Sequence, residues 1–159
     1  MRTEFGARRS ECGCEICVNN CRNMPGFLIP ADLDRMIPVT ADPFRWAESN
    51  LLASPGALAM KDGVKFRIHT LVPAIKLDGS CIYLDTDGRC QIHAVAPFGC
   101  AFFSCKGEAA PRLSHAGLRA VMADGDGLYS RLWDHLDRLG KRQLSPETLR
   151  RRMGEPIPK

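Results

Sequence analysis

Cys81-Ile82-Tyr83-Leu84-Asp85-Thr86-Asp87-Gly88-Arg89-Cys90-Gln91-Ile92-His93-Ala94-Val95-Ala96-Pro97-Phe98-Gly99-Cys100 is the stretch on which the fold turns. Asp85-Thr86-Asp87-Gly88 has the composition of a tight turn. Its flanks are expected as two short strands, a hairpin that carries Cys81 and Cys90 near its ends and draws their sulfurs together. Pro97 then stiffens the approach to Cys100, and Gly99 lets a backbone N–H come close to a thiolate. His93, three residues after Cys90, is a candidate nitrogen ligand, although a histidine between Ile92 and Ala94 is more simply a packed or solvated one.

A second group of cysteines lies upstream, at Cys12, Cys14, Cys17 and Cys21, and Cys105 follows the first stretch. The chain thus has eight cysteines in 159 residues. Four within ten positions are too dense to be only small buried hydrophobes, though Cys105 alone suits that description. The opening residues Met1 to Ser10 are polar and form no hydrophobic targeting segment, so the chain is expected in the cytoplasm. Thiols in a reducing compartment are more often metal ligands or redox groups than disulfides.

The spacings bear on which metal. Cys14-x2-Cys17 presents two sulfurs from a tight turn and serves zinc and iron–sulfur sites alike. Cys17-x3-Cys21 is about one helical turn, which keeps both side chains on one side. In an extended segment Cys12 and Cys14 would lie roughly 6.5 Å apart. Two thiolates on one tetrahedral zinc are nearer ~3.8 Å. That pair suits two irons of one cluster, or two separate sites, and leans towards iron–sulfur without deciding it.

Composition sets the background. An apolar fraction of 45% and a charged fraction of 25% are those of an ordinary globular domain, so metal is not needed merely to rescue a small core. No apolar run is long enough to span a membrane. The formal charge of +4 counts cysteine as neutral; eight thiolates around two divalent ions would bring it to about zero. A nucleic-acid partner therefore does not follow from basicity, and Lys141, Arg142, Arg150, Arg151 and Arg152 read as a solvated face without aromatic interleaving. A protein partner stays open.

Around the cysteines the expected architecture is α+β: a small, irregular, metal-organised domain with short β-hairpins and peripheral helices. Residues 1–159 form one domain, with a cysteine-bearing region at 12–105 and a helical part at 115–152. Ile29 to Met36 is a short helix entered through Pro30. Asp42-Pro43 opens another, with Phe44, Ala47, Leu51 and Leu52 on one face and Ser54-Pro55-Gly56 as its end. Val64, Phe66 and Ile68 alternate as a strand, which Pro73 breaks or places at an edge. Leu128, Leu132, Leu136 and Leu139 mark a helix capped by Gly140. Asp124 to Gly127 breaks two helices, and Ser145-Pro146-Glu147 opens a last short one. His115 and His135 read as surface residues. Asp85 to Gly88 resembles the start of a calcium loop, but no later glutamate completes it.

The run from Cys81 to Cys100 resembles the second half of the CxxCxxCC cysteine-cluster family, the YkgJ-type zinc- or iron-chelating domain. The likeness lies in a cysteine, a leucine–acidic–glycine turn, a second cysteine, and nine residues containing a proline before a third. Cys12 to Cys21 occupies the place of that family's N-terminal cysteine group, so the likeness covers most of residues 12 to 105. The resemblance implies chelation by Cys81, Cys90 and Cys100 together with some of Cys12, Cys14, Cys17 and Cys21. This chain departs from the pattern in having no adjacent cysteine pair, in Ala96 where arginine is usual, in His93 where tyrosine is common, and in the extra Cys105. A related cysteine cluster in flagellin lysine methylases is associated with an iron–sulfur centre.

The full candidate ligand set is therefore Cys12, Cys14, Cys17, Cys21, Cys81, Cys90, Cys100 and Cys105. The cofactor is an iron–sulfur cluster of the 4Fe–4S kind, or zinc, with a redox, sensing or electron-transfer role. The alternative is a structural-zinc interaction module without redox activity. An enzyme with an open metal position is a third reading, but no acid, base or substrate pocket stands out, and whether the chain is an enzyme stays open. Sharing one site between the two cysteine groups closes a loop of about 60 residues, which costs only a few kcal/mol.

Overall fold

In the computed structural model the described residues are 5–6, 14–102 and 110–144. Their order is α1 (Glu15–Asn23), α2 (Pro30–Met36), α3 (Pro43–Asn50), β1 (Leu51–Lys61), β2 (Val64–Pro73), α4 (Phe98–Ala101), α5 (Ala110–Ala123) and α6 (Leu128–Arg138), with a 3-10 turn at His93–Val95. The class is α+β. No helix among the described residues is long and apolar enough to cross a membrane.

The sheet is one antiparallel pair, β1 against β2, from Leu51↔Pro73 to Lys61↔Val64. Asp62 and Gly63 close it with φ of 51° and 77°, the two positive values that a two-residue type I′ hairpin turn requires. β1 corrects the expectation that Leu51 and Leu52 continue a helix ended by Ser54-Pro55-Gly56. The helix stops at Asn50, and Ser54-Pro55-Gly56 is a bulge inside the strand, where the register shifts before Ala57. Proline belongs there because a bulge needs no N–H from it. Gly56 has φ of 67°, and a Cβ would meet the Ile68 carbonyl oxygen at 1.9 Å. Alanine, leucine and methionine dominate β1 and favour helix locally; pairing with the β-branched strand β2 overrides them.

Helices α3, α5 and α6 pack against this pair, and α2 packs against α6. Leu28, Leu33, Ala47, Leu51, Leu71, Leu132 and Leu136 make the centre of the core. Pro43 enters α3 and the Asp42 carboxylate accepts the Arg45 N–H at 2.9 Å, the expected N-cap. At the end of α6, Lys141 N–H donates to Leu136 O and Gly140 N–H to Asp137 O, with Gly140 at φ 72°, a Schellman ending. Leu139, the last of the helically spaced leucines, lies just beyond the end of α6 and is exposed. Tyr129 takes its place in the core. Its hydroxyl donates to Leu28 O and accepts Leu71 N–H, each at 2.7 Å, stitching the segment before α2 to β2.

His135 is half-buried, not a simple surface residue: it bonds Glu48 at 2.8 Å and meets Phe44 edge-on. His115 is exposed, as expected. Of the basic tail, Lys141 donates to Glu48 O and Arg142 pairs with Asp137. Arg150, Arg151, Arg152 and the helix expected after Ser145 lie outside the described residues.

Candidate metal centre

Helix α1 puts Cys17 and Cys21 one turn apart on the same side, as the spacing predicts. Cys14 is its N-cap and is exposed. Cys21 is tied to the second cluster through the main chain, because Cys81 N–H donates to Cys21 O at 2.9 Å.

The loop from Ala74 to Val95 differs from the expected hairpin. Cys81 bridges back to Ile75 and Leu84 bridges to Cys90, as isolated contacts and not as two strands. The intervening turns supply the order. Asp85 N–H donates to Arg89 O, Gln91 N–H to Tyr83 O, and the Asp85 carboxylate accepts the Asp87 and Arg89 N–H groups. That carboxylate is committed within its own loop, as the turn reading expects and a calcium loop does not. Tight turns win over strands here because the run is too short to gain a ladder on both sides.

Cys100 is carried by the four-residue helix α4. So short a helix needs outside anchors, and two are present. The buried Asp32 carboxylate accepts Phe98 N–H at 2.7 Å through the same oxygen that accepts Ile29 N–H at 2.9 Å, so it caps the starts of α4 and α2 together. Nothing in the cysteine pattern reveals Asp32. The visible signal is an acidic residue at the third helical position, two residues after Pro30, which reaches back to its own helix start. The second anchor is the contact of Gly26 with Gly99. A Cβ on Gly26 would lie 2.3 Å from Gly99 C, and one on Gly99 2.6 Å from Phe27 N. This approach lets Gly99 N–H donate to Phe27 O and Gly26 N–H donate to Cys100 Sγ at 3.2 Å. The expected glycine N–H beside a thiol is therefore present, but Gly26 provides it and Gly99 makes room. Phe5, Phe27 and Phe102 pack around Phe98 beneath the helix.

Cys17, Cys21, Cys81, Cys90 and Cys100 line one cleft of about 1020 Å³, with His93 and Tyr83 beside them. Cys14 is not part of that lining, and Cys12 and Cys105 lie outside the described residues. Four sulfurs are close enough to act on one another. Burial pushes the Cys81 thiol from 9.0 up to about 11, opposed by the Tyr83 N–H and reinforced by Cys21 and Cys90. Burial and Cys90 raise Cys21. Burial raises Cys100 further, with Gly26 N–H opposing and Cys21, Cys81 and Cys90 adding to the rise. Tyr83 is raised by burial and by Cys81 and Cys90, and its hydroxyl donates to Asn50 at 2.8 Å.

The donor set suits zinc or iron in chemistry: soft thiols from four separate segments, with carboxylates turned to other tasks. In geometry, no group of three or more His, Cys, Asp or Glu among the described residues converges as one metal ion would require. Cys21, Cys81, Cys90 and Cys100 all contribute to the wall of the cleft.

The raised thiols set a pH dependence. In the reduced, metal-free protein they ionise more readily unfolded than folded, so their contribution to stability is whole below pH about 9 and is lost as pH rises towards about 11. Denaturant midpoints of that protein should fall between pH ~8 and ~10.5, and fall less in Cys81→Ala. Equal slopes in the two proteins would contradict this assignment.

No family model matches the chain, and neither a curated protein nor a solved structure matches it.

Proposed function

We propose that this chain binds a metal through cysteine thiolates, with an iron–sulfur cluster held by Cys21, Cys81, Cys90 and Cys100 as the preferred occupant and zinc as the other. The observation that carries the reading is the gathering of these four cysteines, two of them 79 positions apart in sequence, around one cleft where Cys21, Cys81 and Cys90 all bear on the ionisation of Cys100. The likeness to the YkgJ-type chelating family points to the same residues. Cys17 stands one helical turn from Cys21 as a reserve ligand. Cys12, Cys14 and Cys105 complete the candidate set, in this site or a second one.

A bound cluster supplies one-electron chemistry, at a potential set by charge, burial and N–H donors to sulfur. This chain's own part is to hold and tune. Gly26 N–H stabilises a thiolate at Cys100, burial around Cys81 limits water, and Lys76, anchored on Leu84 O, adds positive charge near Cys81. Burial raises Cys21, Cys81 and Cys100 and favours their protonated thiols, so metal loading releases protons and weakens as pH falls.

Serine substitution tests the ligand set. Cys21→Ser, Cys81→Ser, Cys90→Ser and Cys100→Ser should each lower bound metal several-fold, whereas Cys14→Ser should leave most of it. Full metal content in Cys90→Ser and Cys100→Ser removes the assignment. Zinc at one per chain without labile sulfide would favour the redox-silent interaction module.

A further inference from the structure

The outer half of the β1–β2 pair is built like a receiving edge. The two-residue turn at Asp62-Gly63 makes Lys61↔Val64 a hydrogen-bonded pair, so Ala59↔Phe66 and Ala57↔Ile68 are too. The N–H and C=O groups of Lys65, Arg67 and His69 on β2 must then point outward. The same parity at Leu71 confirms this, since Leu71 O accepts Leu28 N–H and Leu71 N–H donates to Tyr129. Leu28 thus already fills the edge at Leu71, and beyond it the edge from His69 to Lys65 takes no main-chain partner among the described residues.

The side chains on this face are equally distinctive. Leu58 lies opposite Arg67 and Met60 opposite Lys65. Leu58 is 60% exposed and Met60 69%, while Lys65 and Arg67 are exposed and form no ion pair with a described residue. His69 stacks on Trp133 at 3.9 Å and continues the face towards α6. Apolar and cationic side chains therefore share one face beside a row of open backbone groups. A second copy of this chain fits poorly, because pairing β2 with β2 brings Lys65 and Arg67 against themselves.

We propose that this edge of β2 receives an extended acidic segment of a partner protein, which adds as a third strand. Its main chain pairs with Lys65, Arg67 and His69, its carboxylates lie against Lys65 and Arg67, and its alternate apolar residues fall on the other face, beside Phe66 and Ile68. The inference is independent of the metal reading.

The test uses the whole chain and a fluorescein-labelled peptide in which glutamate alternates with valine. Binding by anisotropy should weaken in about 0.5 M salt and drop at least about tenfold for the Lys65→Glu/Arg67→Glu variant, whose exposed changes leave the circular dichroism unaltered. Hydrogen exchange should slow at the amides of Lys65, Arg67 and His69 when peptide is added. Controls are a block-ordered peptide of equal charge, an alternate-N-methylated peptide, vesicles containing phosphatidylserine, and duplex DNA. No peptide binding, equal binding of the block-ordered or N-methylated peptide, tighter binding to vesicles or DNA, or protection elsewhere would each overturn the proposal.

Discussion

Asp32→Ala is expected to cost about 3–5 kcal/mol of stability, because it orphans two buried N–H groups at once. One carboxylate oxygen accepts both Ile29 N–H and Phe98 N–H, and the residue is fully buried. The damage should spread from α2 to α4 and so to Cys100, which α4 positions. Metal content should fall along with stability, although Asp32 is not among the ligands. Asp32→Asn separates hydrogen bonding from charge. Its amide oxygen can keep both N–H partners, but its amide nitrogen then faces the Arg35 guanidinium, which lies 3.4 Å from the other carboxylate oxygen. The loss should be smaller than for alanine, and metal should be largely retained. Urea midpoints with metal analysis on both variants check this; an alanine variant as stable as the parent would refute it.

Gly99→Ala carries the second large effect. The added methyl would press on Phe27 N at 2.6 Å and on Gly26 C and Cα at 2.9 Å, all of them backbone atoms. Backbone cannot yield as a side-chain tip does, so the two segments must part, at about 1–3 kcal/mol or more. Gly26→Ala is tighter still, at 2.3 Å from Gly99 C. Both variants should lengthen the Gly26 N–H contact to Cys100 Sγ and lower metal retention more than their stability loss alone explains. Gly125→Ala is a useful contrast: at φ 56° it meets nothing within 4 Å and should cost only backbone strain. Chelator-challenge rates for the three proteins provide the comparison, and equal rates would contradict the proposed role of the glycine contact.

How much of this was legible beforehand depends on the range of each interaction. Local signals read well. Asp42-Pro43 started α3, Pro30 entered α2, Gly140 ended α6, and Cys17 and Cys21 fell one turn apart on α1. The missed strand β1 shows where local reading stops. Ala57, Leu58, Ala59 and Met60 favour helix, and only pairing with Val64 to Ile68 makes them a strand. Asp62-Gly63 between those runs is the local signal of the hairpin, a pair suited to the positive φ values that the turn adopts. The hairpin expected at Cys81 to Cys90 failed for the opposite reason. Its turn was correct, but the side chain of Asp85 and the bridge from Cys81 to Ile75 hold the loop without strands.

The candidate site divides in the same way. Cysteine positions single out the candidate groups, while the gathering of Cys21, Cys81, Cys90 and Cys100 around one cleft depends on contacts across the fold. Asp32 and Gly26 could not be singled out from the sequence, since an acidic helix start and a Pro-Gly turn are common. Their importance arises where the segment before α2 meets the segment entering α4.

Purification without oxygen, followed by counting iron, acid-labile sulfide and zinc per folded chain, tests the central proposal most directly. A brown protein with iron and sulfide together, both lost from Cys90→Ser, is the predicted result. A reduced and fully folded chain that carries neither iron nor zinc would contradict the account.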